Sequence, residues 1–476
     1  MGSTIIKGGT VVNADATTRA DVLVRDGRIA ALGLGEDWAA DEVIDAGGLL
    51  VMPGGIDAHT HLEYPVDGFT TRTADDFHDG TVAAAYGGTT TVLDFVKKEP
   101  DATLRDTYLR RRATAASKTV VDVGLHAIVP PRDQQPDVLD DLRLLVAEGA
   151  RSWKFFMAYP GTQMVDDGEL LEGFDLARRM GVLPLVHAEN GHMVARETKR
   201  LVDGGHTAER DHATAHGHDS EAEAVHRAIV LAESIGTPLY VVHVSSAAAA
   251  EEIARARSAG AKVWGETCPQ YLVVAYEDYE GLGDQAARYV CSPPIRERSN
   301  QSGLWHALRT GAMSTVATDH AGFCLHQPED LPPQKLRSPG FFPKVPNGVP
   351  GIEDRLMVLW EAGVVGGHLD PCRFVELTST APAKLFGLAG QKGVVAVGAD
   401  ADLVVWDAHA DHTITAAGSH LRTDYSIYEG MRVTGKPVHV LSRGRHVVDA
   451  DGTFRGDPGD GEFLLRGESE TFATTY

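Results

Sequence analysis

Cysteine is scarce in this chain of 476 residues: there are four, Cys268, Cys291, Cys324 and Cys372, and no two form a C-x-x-C pair. That spacing excludes a disulfide framework and a thiolate zinc site, and leaves buried, reduced thiols as the reading. Cations are also in short supply. Lys and Arg total 44 against 67 Asp and Glu, a formal charge of −23. So acidic a surface disfavours nucleic acid or an anionic membrane as partner, because phosphate binding draws on clustered cations. No apolar run approaches the roughly 18 residues of a membrane span, and no apolar core follows a basic start at the N-terminus. The expectation is a cytoplasmic protein with neither a nucleic-acid nor a membrane partner. Aromatic residues are modest at 7%, but 43% hydrophobic and 23% charged residues are the proportions of an ordinary globular protein, which excludes disorder and fibres. A chain this long is either one large barrel with an accessory domain or two to three ordinary domains.

What is present is patterned. Between Ile5 and Ile44, short β-type runs at 10–12, 21–24 and 29–32 are broken by turns, with Asp26-Gly27 as a hairpin turn. Residues 401–406, 438–442 and 445–448 repeat that texture, followed by an Asp451-Gly452 turn. The two ends are therefore expected to combine into one small β-sandwich. Between them, apolar strands alternate with helical periodicity: strands at 49–59, 89–95, 120–126, 152–157, 183–187, 239–243, 262–266 and 315–319, and helices such as 138–147, 169–179, 221–234 and 247–258. Eight β/α units in one run predict an α/β fold of the TIM (β/α)8 type. The expected layout is a β-sandwich over residues 1–52 and 391–455, a barrel over 53–390, and a C-terminal extension over 456–476 that is poorly ordered or wrapped on a partner. Two loops exceed ordinary barrel connections, a His-rich one over 204–220 and a Pro-rich one over 322–350.

The placement of polar residues on those strands is the sharpest feature. His59 and His61 are two apart on strand one, so a strand points both the same way. Lys154 lies in strand four, His187 ends strand five, His243 ends strand six and Asp319 ends strand eight. All six fall toward carboxyl ends of barrel strands, the face on which such barrels place catalysis. Imidazoles and a carboxylate converging there are what a hydrolytic zinc site requires. Singly, each has an ordinary alternative: an H-x-H pair is often structural, His243 after two valines reads as a core histidine, and Asp319 before His320 can cap a helix. The conjunction of the six carries the argument.

Lys154 stands in Ser152-Trp153-Lys154-Phe155-Phe156-Met157, where a free ammonium is costly among large apolar groups and is repelled by neighbouring metal cations. Reacted with carbon dioxide, the amine becomes a carbamate whose two oxygens can bridge two metals, and Asp319 is the only encoded acid of the set. A lysine that snorkels to the barrel mouth is the plain alternative. The His206, His212, His216 and His218 group is read as a solvated loop outside the site, since Gly204, Gly205 and Gly217 loosen it.

Beyond these side chains, longer motifs stand out. Asp57-Ala58-His59-Thr60-His61, Trp153-Lys154-Phe155-Phe156-Met157-Ala158-Tyr159, Val186-His187-Ala188-Glu189-Asn190-Gly191, His243-Val244-Ser245-Ser246, Glu266-Thr267-Cys268-Pro269-Gln270-Tyr271-Leu272, Cys291-Ser292-Pro293-Pro294, Thr318-Asp319-His320 and Pro346-Asn347-Gly348 follow one another along the chain. Together they resemble the motifs of dihydropyrimidinases and D-hydantoinases, cyclic amidohydrolases of the amidohydrolase superfamily. The resemblance implies zinc-dependent hydrolytic ring opening of a small cyclic amide or ureide, such as a dihydropyrimidine or a 5-substituted hydantoin, to an N-carbamoyl amino acid. It implies two zinc ions bridged by N6-carboxylysine at Lys154, formed from carbon dioxide or bicarbonate. His59, His61, Lys154 and Asp319 would hold the more buried ion, and Lys154, His187 and His243 the other. It further implies a shared hydroxide that attacks the ring carbonyl, Asp319 as the group that takes and returns the proton, and Tyr159 as donor to the oxyanion. Ser292 and Asn347 would read the cyclic amide through main-chain groups, and the assembly would be a homotetramer.

The chain departs from that pattern at Glu63, at Pro160 and in the Pro-rich stretch 327–343, all expected to border the pocket. Tyr64, Phe95 and Phe156 are candidates for an apolar wall against a bulky ring substituent. Dihydroorotases place an arginine soon after the H-x-H pair, where this chain has Leu62, Glu63 and Tyr64. The competing readings are another cyclic amidase, such as an allantoinase or imidase, and a noncatalytic dihydropyrimidinase-related interaction protein. Motifs 266–272 and 291–294 favour the dihydropyrimidinase side, and the full set of ligands disfavours the noncatalytic one.

Overall fold

The computed structural model describes residues 2–34, 38–66, 71–326, 330–331 and 334–473. Of the Pro-rich stretch, residues 327–329 and 332–333 lie outside the described residues. The N-terminal part supplies β1 (Ser3–Lys7), β2 (Thr10–Val12), β3 (Thr17–Arg19), β4 (Asp21–Arg25), β5 (Arg28–Gly33), β6 (Glu42–Asp45) and β7 (Leu50–Pro53). The parallel strands are β8 (Gly55–Thr60), β9 (Thr89–Val96), β10 (Asp122–Ile128), β11 (Ser152–Phe156), β12 (Leu183–His187), β13 (Leu239–Val241), β14 (Val263–Thr267) and β15 (Thr315–Val316). The C-terminal part adds β16 (Leu403–Thr413), β17 (Arg432–Ser442) and β18 (Arg445–Val448).

The two ends of the chain do combine. A four-stranded sheet in the order β5-β4-β1-β6 faces a six-stranded sheet in the order β18-β17-β16-β7-β2-β3. Ile6, Val22, Val24, Val51, Leu403, Val405 and Leu441 fill the space between them. The β4–β5 hairpin turns on Asp26 and Gly27, both with positive φ (50° and 79°), the conformation of a two-residue turn that matches strand twist. The run expected as one strand at 49–59 is two: β7 pairs with β16 in the sandwich, and β8 begins the barrel. Gly54 separates them, and a Cβ there would lie 2.0 Å from Thr90 Oγ1, so only glycine lets the chain cross at this point.

The barrel strands run in sequence order from β8 to β15, all parallel. Helices return the chain between them, among them Val138–Leu145, Asp167–Met180, His218–Ile235 and Ala247–Ser258. Buried on both faces, the strands alternate between two apolar environments. On β11, Trp153 and Phe155 pack outward against the helices, while Phe156 joins Leu183, Leu185 and Tyr240 inside the barrel. Lys154, in phase with Phe156, therefore points inward. At the seam between β8 and β15, the main chains meet at a Thr60–His320 bridge. Below it, Asp57 accepts from the Thr318 hydroxyl (2.6 Å), and Arg355 donates to the carbonyls of Ile56 (2.9 Å) and Val316 (3.0 Å).

The C-terminal extension differs from the expectation of a loose or partner-bound tail. Phe463 bridges to Val123 of β10, Leu464 is buried, and the buried Arg466 donates to Ser152 Oγ (2.8 Å) and to the Leu125 carbonyl (2.5 Å). The segment is pinned along β10 of its own barrel, where the Leu464 N–H also donates to the Val123 carbonyl (2.8 Å). All four cysteines are free, three of them buried. Among the described residues, no helix is long and apolar enough to cross a membrane.

Candidate active site

His59 leaves β8 fully buried. Its Nδ1 lies 2.7 Å from Glu266 Oε1, so the ring N–H donates to that carboxylate and Nε2 keeps the free lone pair. Around that Nε2 stand Asp319 Oδ1 at 3.1 Å, Lys154 Nζ at 3.0 Å and His61 Nε2 at 3.3 Å. His61 Nε2 is itself 3.1 Å from Asp319 Oδ1. On the far side, His187 Nε2 meets Glu189 Oε2 at 2.8 Å, which turns Nδ1 toward His243 Nε2 at 2.9 Å. The rings of His59 and His243 stack 5.3 Å apart, joining the two groups. All six side chains singled out on the barrel strands thus converge on one space.

Strand alternation delivers His187 in phase with the inward Leu183 and Leu185. It does not deliver His243, which shares the phase of the outward Leu239 and Val241. The chain leaves β13 after Val241, and His243 adopts a left-handed φ of 38°, bringing its ring among the other ligands. Asp319 (φ 52°) and Tyr159 (φ 65°) share that unfavourable conformation, which non-glycine residues hold only where the surroundings enforce it.

The electrostatics suit a cation. Burial pushes the His61 imidazole down to about 3 and the Lys154 amine down to about 8. For Asp319, burial acts upward, but the His59 ring and hydrogen bonds from His59 and His61 hold the carboxyl well below the usual range. A neutral imidazole, with one nitrogen bare, and an ionised carboxylate are the forms that ligate a metal. Nδ1 of His61 and Nδ1 of His243 are buried without a hydrogen-bond partner. Ligand atoms of His59, His243 and Asp319 lie within 4.8 Å of one another. Close nitrogen–nitrogen approaches, lone pairs turned to a common space and carboxylates fixing the outer ring nitrogens together fit a divalent-metal centre.

The centre opens into a cavity of about 650 Å³. Tyr159, Ser292 and Asn347 line the same cavity, with the Tyr159 ring 5.5 Å from that of His187. Asn347 Nδ2 donates to Ser292 Oγ at 2.9 Å. Burial raises the Tyr159 phenol, against hydrogen bonding from Ser292 and Asn347, so it stays protonated and able to donate. Tyr64, Phe156, Pro160, Phe323, Phe341 and Phe342 make much of the remaining wall apolar. Phe95 is not in that wall: it lies beneath, its ring 4.6 Å from His59 and 5.0 Å from His61. Glu63 also faces elsewhere, paired with Arg72 and Lys118.

The His-rich stretch needs correction. Only His206 and His218 behave as surface residues; His212 and His216 are buried and line the cavity. Residues 211–215 form a short helix, His212 Nε2 donates to the Cys291 carbonyl (2.9 Å), and His216 Nδ1 pairs with Glu189 Oε1 (2.8 Å). The glycines bracket this helix rather than loosening it. Glu189 and Glu266, the carboxylates that orient His187 and His59, were also outside the expected site. A signal existed for Glu266: an acid within the barrel strand Val263-Trp264-Gly265-Glu266-Thr267 is costly to bury unless paired.

The profile of the amidohydrolase family matches residues 50–447. Over 463 residues the chain is 44% identical to the D-hydantoinase of Geobacillus stearothermophilus, covering 97% of this chain and 96% of that one. It is 41% identical to dihydropyrimidinase 2 of Caenorhabditis elegans over 469 residues, covering 97% and 88%. Among solved structures, the dihydropyrimidinase from Brevibacillus agri superposes with a TM-score of 0.93 at 42% identity, covering 98% of this chain and 99% of that one.

Proposed function

The chain belongs to the amidohydrolase family, and from that premise we propose that it is a cyclic amidohydrolase of the hydantoinase and dihydropyrimidinase type. It opens a cyclic amide such as dihydrouracil or a 5-substituted hydantoin to the N-carbamoyl amino acid. The observation that carries this reading is one cavity lined both by His61, Lys154, His187, His243 and Asp319, with the buried His59 behind them, and by Tyr159, Ser292 and Asn347.

His59, His61, Asp319 and Lys154 would hold one zinc ion, and Lys154, His187 and His243 a second, with Lys154 as its carbamate. An amine brought down to about 8 by burial is partly neutral near physiological pH, and the neutral amine is the form that adds to carbon dioxide. When bound, the ions lower the pKa of a water toward neutrality and offer positive charge to the carbonyl oxygen. The remaining work belongs to the side chains. Ser292 and Asn347 hold the ring amide against the wall, and the Tyr159 hydroxyl donates to the carbonyl oxygen as negative charge develops on it. Asp319 accepts the proton of the attacking water; as the C–O bond forms and the C–N bond breaks, it passes that proton to the leaving ring nitrogen.

The test is ring opening of hydantoin, dihydrouracil and D- and L-5-phenylhydantoin by protein reconstituted with zinc and bicarbonate, with the N-carbamoyl products quantified. Lys154→Ala is expected to lose metal and activity together. Tyr159→Phe is expected to keep its metal and lose kcat by about 10²–10³, the scale of one oxyanion donor. Full metal loading with no turnover of any of the four would overturn the substrate class, and full activity of Lys154→Ala would overturn the carbamate.

A further inference from the structure

A second cluster of imidazoles and carboxylates lies in the β-sandwich, on elements that take no part in the barrel mouth. His439 is on β17, His446 on β18 and Asp449 just after it, while Glu42 opens β6 in the opposite sheet. Each of His439, His446 and Asp449 offers a ligand atom within 4.8 Å of the others. Asp449 Oδ1 is 2.9 Å from His446 Nδ1, and Glu42 Oε1 is 3.7 Å from the same nitrogen. The two rings stand 5.6 Å apart at 44°.

We propose that these four residues form a divalent-metal site of the zinc type that ties the two sheets of the sandwich together.

The donor set suits the metal. Two imidazoles and two carboxylates are enough for a closed tetrahedral site, in which ligand atoms about 2.1 Å from the ion lie roughly 3.4 Å from one another. Asp449 Oδ1 and Glu42 Oε1, at 2.9 and 3.7 Å from His446 Nδ1, stand close to that spacing. Two further observations point to a ligand rather than to an ordinary surface ion-pair network. His439 Nδ1 is buried and without a hydrogen-bond partner. A buried polar nitrogen left unpaired costs about 1–3 kcal/mol, a cost that a cation bound to it relieves. The cluster also lines a groove of about 860 Å³ whose rim carries Asp41, Asp45 and Asp451. Burial and the neighbouring His446 lower the His439 imidazole, leaving it neutral and able to ligate. Arg455 engages the other Asp449 oxygen, Oδ2, and leaves Oδ1 turned toward His446. The Arg455 side chain is 59% exposed and so is not locked in place.

The geometry also assigns a consequence. Glu42 comes from the N-terminal part of the chain and the other three residues from the C-terminal part, which makes the ion a cross-link that binds the folded sandwich and not the unfolded chain. The experiment uses the full chain with the barrel centre disabled by His59→Ala and His61→Ala, loaded with cobalt and, separately, with zinc. Expected are one equivalent of metal held in the sandwich, the visible absorption of tetrahedral cobalt, and a zinc-dependent rise in Tm. All three should be lost on adding His439→Ala. Glu42→Gln, at a half-exposed position that does not threaten folding, should weaken the metal by about tenfold or more. In the otherwise wild-type protein, His439→Ala should lower the zinc content by one equivalent and leave ring-opening activity unchanged. No cobalt band, no Tm shift and equal zinc content with and without His439 would overturn the site, whatever the barrel turns out to hydrolyse.

Discussion

At the scale of single residues, two histidines of the barrel centre have their tautomers fixed by buried carboxylates. His59 donates its Nδ1–H to Glu266, and His187 donates its Nε2–H to Glu189, so each ring presents one defined lone pair. Glu189 in turn is held by His216, which ties the helix of the His-rich stretch to the centre. Glu189→Gln keeps the shape but weakens the acceptor, and chelator competition should show metal affinity down by about 10–100-fold. Circular dichroism should show the fold intact. Unchanged affinity would mean that Glu189 serves only to anchor His216. Residue types and strand phase made His59, His61, Lys154, His187 and Asp319 legible in the sequence. His243 was legible by type alone, since its phase points outward and only its left-handed backbone brings it in.

At the scale of elements, the two long loops that looked separate in the sequence are clipped to each other over the cavity. Phe342 of the Pro-rich stretch packs with Leu201 and Ala215, and its backbone N–H donates to the Thr207 carbonyl at 2.8 Å. His212, from the same short helix as Ala215, supports the backbone at Cys291, next to the cavity-lining Ser292. Phe342→Ala should therefore act on large ring substituents more than on the ring itself. The ratio of kcat/KM for D-5-phenylhydantoin to that for hydantoin should fall by about tenfold, the scale of 1–2 kcal/mol of pocket contact. An equal loss for both substrates would place Phe342 in the support of the centre instead. Neither clip was readable from composition, because Gly and Pro mark where a chain turns and not what its loops touch afterwards.

At the scale of the whole molecule, the barrel is closed by side chains where its first and last strands share little pairing. The buried Arg355 spans that seam, and the Asp354 next to it is buried as well. Burial, with Glu353 beside it, raises the Asp354 carboxyl to about 7 from an ordinary 3.8. Between those values the folded chain holds a proton that the unfolded chain releases, so stability from this group is complete below about pH 4 and lost as pH rises through about 7. Asp354→Asn keeps the neutral form at every pH. Urea titrations should find this variant more stable than the parent at pH 8, by up to roughly 4 kcal/mol for a three-unit shift. The gain should shrink toward pH 5, and an equal difference at both pH values would mean that Asp354 is ionised in the native state.

The chain alone determined the class of fold and the chemistry on offer, because both are written in local order. The period of the apolar residues separates strand from helix, eight repeats of the pair make a barrel, and metal-binding side chains recur at strand ends. Tertiary structure decided the rest. Which acid fixes which ring depends on contacts such as His59 with Glu266, 207 positions apart. Whether a histidine-rich stretch is solvated or buried depends on what packs over it. Where the C-terminal segment lies depends on carbonyls of β10 that need a donor. Distances, protonation and burial are properties of residues brought together from far along the chain, and no local pattern encodes them.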